Sequence, residues 1–235
     1  MFRFIRSVLA DFADLLFPTL CLSCNGALQE NEQILCTDCR ISLPETGQHH
    51  EPNPQALNKF AGKVPIQFAA SYLYYTKGGT VQKLIHHIKY KGKKEAAREI
   101  AGWYGYQLKD TSNWLNVADL IIGVPLHKNR QRQRGYNQAD WIAEGLSESL
   151  GIPFRTDVLI RTKFLSSQTR KNRIERWENV SSVFAVQNAD VVKDRNIVVV
   201  DDVLTTGATV EACAAELLKA GCKSVGILTI AATHR

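Results

Sequence analysis

Apolar positions at the start of the chain recur at helical intervals, at residues 5, 8, 9, 12, 15 and 16, with Arg6, Asp11 and Asp14 between them. The segment is too charged to span a bilayer and lacks the separate basic, apolar and cleavage regions of a secretory leader. The spacing predicts an amphipathic helix that docks on the protein's own core, and it would also suit peripheral membrane association. From Pro18 to about Pro44 large apolar residues are sparse, and Glu45 to Pro65, rich in Pro, Asn, Gln and His, reads as an irregular connection. Beyond Ile66 the pattern alternates. Gln67 to Tyr75 reads as a strand, Val81 to Tyr90 and Glu95 to Lys109 as helices, and Leu120 to Pro125 as a buried strand. A polar loop, a helix over Gln138 to Leu150, and strands at Ile197 to Val200 and Val225 to Ala231 complete it. Strands alternating with helices predict an α/β fold, a parallel sheet flanked by helices, over residues 61–235. Residues 1–60 then form an N-terminal helix, a small module and a linker.

Composition changes this picture little: 235 residues with 45% hydrophobic and 22% charged content suffice for one sizeable core and a small satellite. The cysteines change it more. Cys21-x-x-Cys24 and Cys36-x-x-Cys39, with eleven residues between the pairs, have the spacing of a tetrahedral Cys₄ zinc site. Two knuckles can each aim two thiolates at one ion, and metal binding would stabilise a segment too poor in apolar residues to fold by burial. With four thiolates the site is closed, hence structural, and reduced cysteines place the protein in the cytoplasm. Cys213 and Cys222 read as small core residues, and the adjacent His49 and His50 as solvated side chains.

Candidate chemistry is concentrated in two places. The first is Ile197-Val198-Val199-Val200-Asp201-Asp202-Val203-Leu204-Thr205-Thr206-Gly207-Ala208-Thr209. Four consecutive β-favouring residues predict a strand buried on both faces, with Asp201 and Asp202 where it emerges from the sheet, the usual ligand-binding end of an open α/β sheet. Thr205 to Thr209 offers closely spaced N–H groups and three hydroxyls at the start of a helical pattern from Val210 to Ala220, a cradle for phosphate. A carboxylate pair beside it can accept hydrogen bonds from ribose hydroxyls and help hold Mg²⁺. No Gly-Lys-Ser/Thr follows, which argues against a nucleoside triphosphatase. The second is Val124 to Gln138, where Lys128, Arg130, Arg132 and Arg134 follow a buried strand at a density able to hold a pyrophosphate.

The first run resembles, at every position, the phosphoribosyl-pyrophosphate (PRPP) motif of type I phosphoribosyltransferases. Arg134-Gly135-Tyr136-Asn137-Gln138 resembles the Arg-Gly-x-Asn-Gln motif of the ComF family of phosphoribosyltransferase-like proteins. The Cys₄ module, Lys89-Tyr90-Lys91-Gly92, and Arg161-x-Lys163-x₄-Gln168-Thr169-x₆-Arg176-x-x-Asn179-Val180 extend that likeness over nearly the whole chain. Lys171 departs from the Leu that many relatives carry after Gln-Thr. The resemblance implies a type I phosphoribosyltransferase fold, with PRPP held by Asp201, Asp202, Thr205, Thr206, Gly207, Ala208 and Thr209 and pyrophosphate by Lys128, Arg130 and Arg134. It also implies a mobile loop bearing Lys163, Gln168, Thr169 and Arg176, catalytic roles for Asp201, Asp202 and Arg134, Mg²⁺ as PRPP's companion, and a part in DNA uptake during natural transformation.

Two readings follow. One is a phosphoribosyltransferase, a pentosyltransferase moving phosphoribose from PRPP to a nitrogen acceptor; the other is a catalytically silent single-stranded-DNA-binding or scaffold protein on the same fold, working with competence-machinery proteins. A net charge of +6, a pI near 9.0, and cations interleaved with Tyr90, Phe164 and Trp177 permit the second. A transferase releases pyrophosphate only with an acceptor, whereas a DNA module binds oligonucleotides with steep salt dependence.

Overall fold

The computed structural model describes residues 17–50, 54–109, 114–162 and 183–233. Its first regular pieces are two short helices, α1 (Thr37–Ile41) and α2 (Pro54–Asn58), followed by strand β1 (Phe68–Tyr75) and helices α3 (Thr80–Tyr90) and α4 (Lys94–Lys109). Next come β2 (Leu120–Gly123), α5 (Lys128–Arg134), α6 (Gln138–Leu150), β3 (Phe154–Arg155) and β4 (Leu159–Arg161). The chain closes with β5 (Phe184–Val186), α7 (Ala189–Val192), β6 (Asn196–Leu204), α8 (Ala208–Lys219) and β7 (Ser224–Thr233).

Five strands form a parallel sheet in the order β1-β7-β6-β2-β3. Both faces are covered, which is why Ile197 to Val200 can be apolar without alternation: all four are fully buried. Val198 and Val200 face α3, α4 and α6 through Ile88, Ile100, Tyr104, Ile142 and Leu146. Ile197 and Val199 face the other way, among Val210, Cys213 and Leu217 of α8. Burying each such side chain contributes about 1.5–3 kcal/mol, so the central strand fixes the sheet from both sides.

Where the sequence suggests only a polar loop after β2, the chain forms α5, a seven-residue helix of charged and amide side chains with none buried and therefore no apolar periodicity to reveal it. Strands β3, β4 and β5 are two or three residues long, too short for a period to register, and β4 and β5 pair antiparallel in a separate two-stranded sheet. The expected irregular connection is anchored more firmly than its composition implies. Tyr74 N–H donates to Pro44 O at 2.8 Å and Thr46 N–H to Tyr72 O at 2.9 Å, so this stretch covers the outer edge of β1. His49, expected to be solvated, is 3% exposed beside the Tyr104 ring, and burial depresses its pKa. The expected N-terminal helix, and the loop residues Lys163, Gln168, Thr169 and Arg176, lie outside the described residues.

Candidate phosphoribose site

The parallel sheet opens a notch at one point. β2 pairs with β6 only as far as Gly123 opposite Val200, with Val124 N–H closing the ladder on Val200 O at 2.8 Å, whereas β6 stays paired with β7 to Leu204. Asp201 and Asp202 thus lie within β6, not beyond it, along the edge that β2 has left. Strand alternation sends their side chains to opposite faces. Asp202 points to the face of α3, is 4% exposed, and takes the Lys89 ammonium at 2.7 Å. Its Oδ2 is buried with no hydrogen-bond partner among the described residues. Asp201 accepts from the Asp202 N–H at 2.8 Å. Burial and the neighbouring Asp202 charge push its carboxyl up to about 7, against the pull of that N–H, Lys89 and Arg161.

One turn further on, Gly207 has φ 83° and serves as N-cap of α8 without side-chain capping. A Cβ there would sit 2.9 Å from Cε1 of Phe60, a ring that is 1% exposed, so glycine is required both for the left-handed conformation and for the close approach. The helix start, capped by no side chain at Gly207, therefore presents N–H groups and its positive end to the notch, with Ala208 N–H donating to the Thr206 hydroxyl at a long 3.4 Å. Lys59 Nζ donates to Thr205 O at 2.8 Å from outside the motif, a neighbour that the local pattern cannot announce.

The cationic wall is built by the Arg-Gly-x-Asn-Gln run. Asn137 caps α6 at Ala139 N–H and, through Nδ2, holds Val124 O at 3.1 Å, tying that helix to the end of β2. The two elements pack closely: a Cβ on Gly123 would lie 2.6 Å from Asp140 Oδ1. Burial raises the Asp140 carboxyl to about 6, against a lowering hydrogen bond from Asn137. Tyr136 hydroxyl donates to Ile88 O at the end of α3, and Arg134 donates to Gln138 Oε1 at 2.5 Å while its guanidinium lies 5.2 Å from the Tyr90 ring centre. Lys89, Arg130 and Arg134 line a cavity of about 480 Å³ with Tyr90 and Tyr136. Lys128 is exposed on the first turn of α5 and is not part of that lining. On the opposite side Arg161 ends β4 with its guanidinium 5.3 Å from the Phe184 ring, close enough to Arg130 and Asp201 to feel both charges.

Residues 140–235, from the first turn of α6 through the acid pair to the C-terminus, match the phosphoribosyl transferase domain family. The chain is 29% identical to the DNA utilization protein YhgH of Shigella flexneri over 91% of its own length and 90% of that protein. It is 27% identical to competence protein F of Haemophilus influenzae over 92% of this chain and 97% of that one, and 25% identical to competence protein ComFC of Streptococcus pneumoniae over 84% and 87%. Over most of its length the chain is similar to these DNA utilization and competence proteins, and its C-terminal part matches a phosphoribosyl transferase domain.

The cysteines of the N-terminal part meet as their spacing requires. The sulfurs of Cys21, Cys24, Cys36 and Cys39 all lie within 4.8 Å of one another, with Cys24 and Cys36 at 3.7 Å. N–H groups of Gly26 and Cys36 point at the sulfurs of Cys24 and Cys21, each at 3.4 Å, as expected around thiolate ligands. Burial opposes ionisation of Cys21, but N–H groups of Cys24, Cys36 and Ser23 outweigh it and bring the thiol down to about 6. A four-sulfur, N–H-supported donor set fits a structural zinc ion. The module is not isolated: Cys21, Leu22, Ile34, Leu35 and Leu43 are buried in the same cluster as α3 and α4.

Proposed function

We propose that this protein, as a member of the ComF family, binds PRPP in the notch at the end of β6 and serves DNA uptake in natural transformation from the cytoplasmic side. The observation that carries the reading is the acid pair set between two anion-binding features, the start of α8 and the cavity lined by Arg130 and Arg134. The 5-phosphate takes the N–H groups and hydroxyls of Thr205, Thr206, Gly207, Ala208 and Thr209, the ribose hydroxyls face Asp201 and Asp202, and the pyrophosphate lies toward Arg130 and Arg134, with Lys128 nearby. Mg²⁺ bound with PRPP would supply neutralisation of the pyrophosphate charge, and Asp202, whose Oδ2 is orphaned, is the carboxylate of the pair fitted to help hold it, with Asp201 on the other face of the strand. A nitrogen acceptor attacking C1 breaks the bond to pyrophosphate, and the arginines stabilise the departing charge with no covalent protein intermediate. Lys163, Gln168, Thr169 and Arg176 would close over the ligand and exclude water. The names of the relatives, in DNA utilization and competence, support the biological setting, with competence-machinery proteins and single-stranded DNA as the partners it implies.

Zinc on Cys21, Cys24, Cys36 and Cys39 completes the proposal as a structural ion. The proposal divides the chain at residue 60 into a zinc-bearing part and a transferase-like part, beside Lys59 and Phe60, which reach the Thr/Gly loop. No helix among the described residues is long and apolar enough to cross a membrane, in keeping with association that is at most peripheral. Calorimetric titration of the zinc-loaded protein with PRPP, with and without Mg²⁺, tests the central claim. Micromolar Mg²⁺-dependent binding, lost in the D201N/D202N variant, is expected; no binding, or binding retained in that variant, overturns it.

A further inference from the structure

Lys89 stands in two places at once. It belongs to the last turn of α3, where the Tyr136 hydroxyl on Ile88 O and the Lys91 N–H on His87 O fix the end of the helix. It lines the cationic cavity with Arg130 and Arg134, while its ammonium lies 2.7 Å from the Asp202 carboxylate, a residue that is 4% exposed. That carboxylate keeps its second oxygen, Oδ2, buried and unpartnered among the described residues, so the group is only half satisfied by the lysine. A buried carboxylate needs a counter-charge, and here a flexible side chain from another element provides it at the spot where a metal ion would otherwise be drawn.

We propose that Lys89 is the resident counter-ion of the acid pair, a positioning residue that excludes divalent cations from Asp202 until a polyanion entering the cavity takes over its ammonium. The short reach from Asp202 into a cavity already lined by two arginines makes the transfer a side-chain rotation and requires no backbone change. Cation and polyanion then bind as a coupled pair, and neither alone is held well. The identity of the polyanion, PRPP, rests on the function proposed above; the exclusion of divalent cations does not.

The test measures Mn²⁺ binding to the full-length, zinc-loaded protein by electron paramagnetic resonance, with and without PRPP, for wild type, Lys89→Met, Lys89→Gln, Lys89→Arg and K89M/D202N. Without PRPP, Lys89→Met and Lys89→Gln are expected to bind Mn²⁺ at least tenfold more tightly than wild type, Lys89→Arg to behave as wild type, and K89M/D202N to lose the gained site. Adding PRPP is expected to strengthen Mn²⁺ binding at least tenfold in wild type and less than threefold in Lys89→Met. Equal Mn²⁺ affinity of wild type and both neutral variants without PRPP overturns the proposal, even where PRPP binds. A gained Mn²⁺ site in the neutral variants with no response of wild type to PRPP upholds the counter-ion role and overturns PRPP as the ligand. Circular dichroism checks the fold of each variant, and the glutamine substitution, which keeps a polar end group, replaces methionine if the latter fails to fold.

Discussion

Replacing Gly207 by alanine tests two physical causes at one atom. The residue has φ 83°, where a Cβ costs about 1–2 kcal/mol. The same Cβ would lie 2.9 Å from Cε1 and 3.2 Å from Cζ of Phe60, whose ring is walled in and cannot simply rotate away. Overpacking of that kind costs about 1–3 kcal/mol, giving about 2–5 kcal/mol in all for G207A. The two causes separate in a double-mutant cycle with Phe60→Leu, which removes the ring atoms but leaves the backbone conformation. Urea unfolding of the four proteins should give G207A a smaller cost in the F60L background, by about 1–3 kcal/mol, with the residual near the cost of the left-handed conformation alone. The same shift of the loop should weaken PRPP binding more than tenfold, since the N–H groups of α8 would leave their positions. Strictly additive effects, or a G207A cost below about 0.5 kcal/mol, would refute the claim that close approach to Phe60 requires glycine at position 207.

The pH dependence follows from Asp201, whose carboxyl is raised to about 7 by burial and by Asp202. Its folded value lies above its unfolded one, so the free fold gains stability from this group as pH falls below 7, whereas Mg²⁺-dependent PRPP binding, which needs the carboxylate, should weaken by up to tenfold per pH unit; titration calorimetry from pH 8 to 6 reads this, and an unchanged affinity argues against a role for Asp201. Asn137→Ala removes the cap of α6 and orphans Val124 O, for a loss of about 2–3 kcal/mol that thermal denaturation should show as a lower Tm. Metal analysis should find one zinc per chain in the reduced protein. Because Cys21 and Leu35 are buried in the main core, chelation should lower the Tm of the whole protein and not melt a separate module; absence of metal, or an unaffected main transition, counts against this.

Much of the site was legible because its determinants are local. A run of β-branched residues names a strand covered on both faces, acids and a Thr/Gly loop after it name a strand-end site, and paired C-x-x-C knuckles name a metal module, each within a window where spacing and residue type suffice. The Arg-Gly-x-Asn-Gln run was legible as a pattern but not as a cause: only the fold shows Asn137 bridging α6 to β2 and Arg134 laid on Gln138. His49 was misjudged because its burial depends on Tyr104 of α4, packed against it from far along the chain. Helix α5 escaped notice because it buries nothing.

The sequence by itself determined the parallel α/β architecture, the acid pair, the Thr/Gly loop at a helix start and the cysteine cluster, since each follows from periodicity or from residues adjacent in the chain. Only the tertiary structure decided that Asp201 and Asp202 face opposite sides of the sheet where β2 ends, that Lys89 neutralises Asp202, and that Lys59 meets Thr205 across 146 residues. Those pairings depend on which strand ends first and which helix end comes near, quantities set by packing of the whole sheet and absent from any local window.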